Sequence, residues 1–279
     1  MKKTTNVQAP KGGVSEKNEK QILTKTIILT ALKTLMLGVF ALAFVLVSMS
    51  AIAPKLAIKV YGALGANDAV YIVYERDYAR KRTNESLYNV LQQSISRKNY
   101  PKVEKYAKLM ISGDDFKKFA SKVDEASKKA LAEKYSIYSD SYEVYVRNNL
   151  LIALYQNGKN DEAKMMAINS VYQNAEELYV YVQIVLEDKK LTDLQRQTEL
   201  RTLHTRYGIK DELARRLAQI DPEIDTDPSQ KIAALTQKLK IVELQYVLAD
   251  ASGDETVKAE AAAGRKKIEN ELTTVLGEL

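Results

Sequence analysis

At 279 residues the chain can bury a sizeable core in one or two domains, and 46% apolar with 28% charged residues is the composition of a folded protein. There is no cysteine and a single histidine, His204, which excludes disulfides, thiol catalysis, lipidated cysteine and thiolate or histidine-rich metal sites. The net charge is +6, but residues 1–33 hold seven lysines and only Glu16 and Glu19, so +5 of it precedes residue 34 and the rest of the chain is near neutral; that argues against nucleic acid as a partner.

Residues 1–20 are polar, with Pro10 and Gly12-Gly13, and read as a disordered basic tail. From Thr34 to Ala53 follow twenty residues without a charge. As a helix they rise about 30 Å, the thickness of a bilayer's hydrocarbon core. Ile22 to Leu32 is apolar apart from Lys25, so residues 21–54 form the expected transmembrane helix, ended or kinked at Pro54. A cleaved signal peptide competes, because Ala51-Ile52-Ala53 is an A-x-A pattern. The length of the apolar run and a proline just after the cut favour an uncleaved signal-anchor. A buried core helix is disfavoured by so long an uncharged run. Lys17, Lys20, Lys25 and Lys33 outweigh Lys55 and Lys59, which puts the N-terminus in the cytoplasm and the bulk of the chain outside it, in a single-pass membrane protein.

Beyond Pro54, helix signals recur with short breaks. Asn67-Asp68 opens a stretch to Lys81. Asn84 and Asn99 are candidate caps, the latter with Pro101 in its first turn. Asp114 starts a lysine-rich helix to about Tyr135. Asp140 and Glu143 have capping-box spacing ahead of a helix closed by Gly158. Asn160 starts the next helix, and Ala175 to Glu187 another. Thr192 and Gln195 form a second capping box, closed by Gly208; Lys210 to Ile220 follows, and Asp227-Pro228 opens the last region. No segment alternates like a strand. The expected fold is all-α, a helical array (α-solenoid) or an irregular bundle over residues 55–222, then a C-terminal helical hairpin over 223–279. The hairpin seams are Ile232, Leu235, Leu239, Val242 and Tyr246 against Val257, Ala261, Gly264, Ile268, Leu272 and Val275, joined by a loop from Ala249 to Asp254.

Two windows resemble the tetratricopeptide repeat. In Leu150 to Ala163, Gly158 stands where that motif ends its first helix, and Ala163 at the small position five residues later. In Leu87 to Met110, Lys98 aligns with the glycine, Tyr100 with the motif's aromatic, and Val103 and Ala107 with the packing positions. The motif's tryptophan, its helix-ending proline and a constant 34-residue period are missing. The resemblance implies a concave surface that binds peptides or proteins.

Tyr71, Tyr74 and Tyr78 share one helical face, as do Tyr135, Tyr138, Tyr142 and Tyr145. They are the candidate partner-binding residues, with helix packing the competing and favoured explanation. No catalytic, cofactor or metal constellation is evident. Gly62-Ala63-Leu64-Gly65 lacks a third glycine and a following lysine. His204 lies in a charged stretch and reads as a surface or edge histidine. Glu176-Glu177 reads as helix-start acids that favour the macrodipole, and Glu75 to Arg82 as a solvated helix end. The expected function is a membrane-anchored, non-enzymatic scaffold or adaptor that uses no cofactor. Its partners are the lipid bilayer and a protein or peptide. The alternative is an assembly subunit that homo-oligomerises through the hairpin.

Overall fold

The computed structural model describes residues 16–132, 141–206, 208–220 and 228–277. They form thirteen α-helices, and no strand occurs among them. The contacts divide the chain between Asp77 and Tyr78, where the sequence placed boundaries after residues 54 and 222.

In the first unit, α1 (Glu16–Ile52) is long and apolar enough to cross a bilayer over Thr24–Ile52. It begins inside the stretch expected to be disordered. Only 6% of its most apolar window is buried, so it is not a core helix of this fold. It ends where Pro54 removes a backbone donor. Ala53 leaves helical geometry, and Pro54 takes the first position of α2 (Pro54–Ala63), a helix the sequence reading did not separate. A small core of Ala57, Tyr61, Val70 and Val73 joins α2 to α3 (Asn67–Lys81), with Met49 at its edge. Arg76 Nη1 donates to Ser50 Oγ at 3.4 Å, so the charged run at 75–82 is not wholly a solvated helix end.

The second unit continues with α4 (Asn84–Ser96), α5 (Tyr100–Ile111), α6 (Phe116–Ala132), α7 (Tyr142–Gln156), α8 (Asn160–Ser170), α9 (Glu176–Glu187), α10 (Asp193–Arg206), α11 (Ile209–Gln219), α12 (Pro228–Ser252) and α13 (Glu255–Gly277). Its helix pairs follow one another. α5 packs on α4 and α7; α8 on α7 and α9; α7 also on α9; α10 and α9 on α12; α12 on α13. Helix α9 begins 34 residues after α7, the spacing of a tetratricopeptide repeat. The fully buried Leu91, Met110, Leu151, Leu154, Leu178, Leu203 and Leu244 form the core between these helices.

Several caps fall one residue from the expected place. Thr83, not Asn84, caps α4: its hydroxyl accepts the Ser86 N–H at 3.2 Å, and Ser86 Oγ accepts the Thr83 N–H at 3.1 Å. Ser141 caps α7, and Asp124 of α6 adds an acceptor for the Tyr142 N–H at 2.7 Å; the expected cap Asp140 lies outside the described residues, as does Asp227. Asn99, and Thr192 with Gln195, cap as anticipated. The hairpin loop is shorter than expected, because α12 continues to Ser252 and only Gly253-Asp254 turn. The seam residues do face each other: Leu235, Val242, Ala261, Ile268 and Val275 are buried together. Gly264 is not needed for close approach, since a Cβ there would meet Val242 methyls at an ordinary 3.8 Å.

One turn geometry recurs. Gly65, Lys98, Gly158 and Gly253 each take a left-handed conformation, with φ of 69°, 53°, 76° and 74°. Each follows a helix and precedes its partner by two residues. In each, the N–H of the next residue reaches back five positions, as Ala66 to Tyr61, Asn99 to Ser94, Lys159 to Leu154 and Asp254 to Ala249, at 2.9 to 3.0 Å. This is the Schellman closure, which satisfies carbonyls a helix end would otherwise leave open.

Candidate interaction surface

Side-chain links between successive helix pairs run in two rows. In one, Tyr145 of α7 donates to Gln92 Oε1 of α4 at 3.2 Å. Arg147 of α7 faces Glu177 of α9 at 3.7 Å, and Tyr179 of α9 donates to Glu243 of α12 at 3.1 Å. Lys240 of α12 approaches Glu176 of α9 at 3.4 Å. In the other, Lys108 of α5 pairs with Glu162 of α8, and Lys164 of α8 with Glu199 of α10 at 2.6 Å. The node Glu104 ties α5 to the α7–α8 turn: its carboxylate takes Lys108 at 3.0 Å, Asn157 at 2.8 Å and Lys159 at 2.5 Å. Burial pushes Glu104 up, but the hydrogen bonds from Lys159, Asn157 and Lys108 reverse this and hold it at about 2.

The described candidate tyrosines differ in exposure and partners. Tyr71 and Tyr142 are buried, and Tyr71 donates to Glu75 Oε1 at 3.2 Å. Tyr74 packs at the edge of the first unit's core, and Tyr78 packs edge-on against Tyr106 at 5.7 Å. Tyr142 joins a cluster with Tyr88, Phe119 and Tyr145 across α4, α6 and α7, with centroids 5.3 to 6.2 Å apart. Of this cluster Tyr145 reaches solvent, at 37% exposure. Tyr135 and Tyr138 lie outside the described residues.

A groove of about 420 Å³ opens between α7, α8, α9 and α10, lined by Tyr155, Lys164, Tyr181, Leu194, Gln195 and Glu199. Leu194 is 74% exposed at its rim. Tyr181 donates to Glu199 Oε1 at 3.1 Å, and Tyr155 donates to Asp188. Burial, reinforced by those carboxylates, raises both phenols, so their hydroxyls stay protonated and act as donors. The sequence reading missed Tyr155 and Tyr181, which lie on different helices and share no periodic face. The exposed Leu194 beside the α10 cap was the one readable signal.

Two titratable groups are more buried than anticipated. His204 packs with Leu200 and Leu203, and its Nε2 stands 3.4 Å from Asp254 Oδ2; it is not a surface histidine. Asp254 also receives Lys210 at 2.6 Å and the Val257 N–H at 3.2 Å, which together with His204 hold it at about 2. Glu177 lies in the first turn of α9, as expected of a helix-start acid, and is fully buried there. Burial pushes it up to about 6, against the pull of Arg147 and the Ser170 hydroxyl, while Glu143 adds a further push upward. No group of histidines and acids that could hold a metal occurs among the described residues.

Comparison with known proteins finds no matching family model, no matching curated protein and no matching solved structure.

Proposed function

We propose that the chain is a membrane-anchored, non-enzymatic interaction scaffold whose second unit is a tetratricopeptide-like array binding a protein or peptide. The observation that carries the reading is the left-handed turn repeated within that unit at Lys98, Gly158 and Gly253, with its shared backbone closure. Stacked helix pairs joined by one turn type, and linked side by side, give an extended surface rather than a reaction cleft. The groove at Leu194 and the half-exposed Tyr145 are the contact places. The exposed apolar length of α1 supports the anchor, and the lysine bias across it supports a cytoplasmic N-terminus.

The test has two arms. Tags at both ends and protease added to intact cells read the topology: loss of the C-terminal tag with survival of the N-terminal one is expected, and the reverse overturns the orientation. A photo-crosslinking residue at Leu194 is compared with one at the exposed Lys266 on α13. A discrete adduct at 194 and none at 266 is expected; equal labelling at both positions counts against the groove.

A further inference from the structure

The near-neutral charge of the second unit conceals a split. From Tyr78 to Lys134 there are fourteen basic and seven acidic residues, a net of +7. From Tyr135 to Leu279 there are eighteen basic and twenty-four acidic residues, a net of −6. Most of the array's lysines and arginines beyond α6 enter ion pairs, as Lys159, Lys164, Arg196, Lys210, Arg216 and Lys258 do. Those of α6 do not. Lys117, Lys118 and Lys122 are exposed, and none forms an ion pair among the described residues.

Helical periodicity puts these three lysines on the side of α6 opposite Phe116, Phe119, Ala120 and Val123. Phe116 and Ala120 are buried, and Phe119 packs on Tyr88 and Tyr142. Asp124 is engaged by the α7 N-terminus. The apolar side of α6 is therefore already used within the fold, and what it offers outward is charge. Lys128 and Lys129 continue the same spacing in the sequence, while Glu125 is the one acid placed among them.

We propose that the Lys117–Lys118–Lys122 stripe of α6 docks on anionic phospholipid headgroups. The inference rests on the reading of α1 as a membrane anchor, which would tether the chain that carries the stripe to a bilayer. Three features choose this occupant. The stripe is all lysine, a set of point charges that suits phosphates without requiring fixed geometry. It carries no aromatic side chain, whereas single-stranded nucleic acid is held by base stacking. It lacks the apolar or arginine anchor that centres a protein interface.

The absence of cysteine allows a unique probe at Ser121→Cys, an exposed position on the stripe. The labelled full chain is placed in nanodiscs of phosphatidylcholine alone or mixed with phosphatidylglycerol, each with a nitroxide-headgroup lipid as quencher. Quenching about twofold stronger in the anionic discs, abolished by high salt, is expected. Equal quenching in both discs overturns the proposal. Lys117→Gln, Lys118→Gln and Lys122→Gln together should remove the difference while circular dichroism stays unchanged. Retention of the difference by that variant overturns the assignment to these lysines. If the variant misfolds, Lys122→Gln alone is read for a partial loss, and an unaltered difference overturns it equally. Co-elution with phosphatidylcholine discs reads the anchor separately. Salt-sensitive co-elution with anionic discs alone would overturn the anchor and uphold the stripe; co-elution with neither would overturn both.

Discussion

Glu177 is a carboxylate at zero exposure facing an arginine 3.7 Å away, too far for a tight hydrogen bond. Its folded value near 6 lies above its ordinary 4.5. Between those values the folded chain keeps a proton that the unfolded chain has released, so stability falls as pH rises through that window. The contribution is about 2 kcal/mol, present in full below 4.5 and gone above 6. In Glu177→Gln this fall is absent. Urea unfolding at pH 4.5 and 7.5 should show the wild type losing about 2 kcal/mol relative to the variant; parallel pH profiles would refute the assignment. Glu177 was placed rightly at a helix start, but its burial was not read from the sequence, nor was that of His204. First-turn acids usually face water, and which of them turns toward α7 is decided by packing across 30 residues of chain. His204 was more legible, because Leu200, Leu203 and His204 are spaced as one buried face.

Among the helices, the turns carry the information. Of the four left-handed positions that share the Schellman closure, three hold glycine and one holds Lys98 at φ 53°. A side chain there costs about 1 kcal/mol because its Cβ crowds the carbonyl. Lys98 is exposed, so its side chain offers little in return. Lys98→Gly should raise the unfolding free energy by about 1 kcal/mol, less the added freedom of the unfolded chain. A loss of stability in chemical denaturation would sink this account. The alignment of Lys98 with the glycine of the repeat motif was visible in the sequence, and so were the hairpin seams. The one-residue shifts at Thr83 and Ser141 were not, because Asn84 and Thr83 are equally good caps and backbone geometry chooses between them. The unread α2 has only ten residues, and Pro54 was taken as the end of the apolar helix rather than as the first residue of another.

For the molecule as a whole, the seam that would have joined two copies is occupied within one. Leu235, Val242, Ala261, Ile268 and Val275 face each other across α12 and α13, and Leu217 of α11 packs against them. A monomer is therefore expected in detergent, by light scattering with the detergent mass subtracted. A dimer dispersed by Leu276→Glu, an exposed hairpin position, would restore the assembly-subunit reading. The all-helical class was legible because periodic apolar positions and capping residues recur throughout. The charge split of the second unit was also written in the sequence, but a sum over the whole folded part averages +7 against −6 to near zero. The set Tyr71, Tyr74 and Tyr78 was legible as spaced along one helix, α3, yet not as a surface, since spacing names a face without naming what covers it.

Every extensive helix–helix interface among the described residues joins elements no more than three apart in chain order. Such a chain does not wait for its C-terminus. Each helix pair meets most of its partners as soon as the next pair has been synthesised, so the second unit can assemble vectorially, from its N-terminal helices onward. Helix α12, which packs on α9, α10 and α11, and α13, which packs on α12, then complete it.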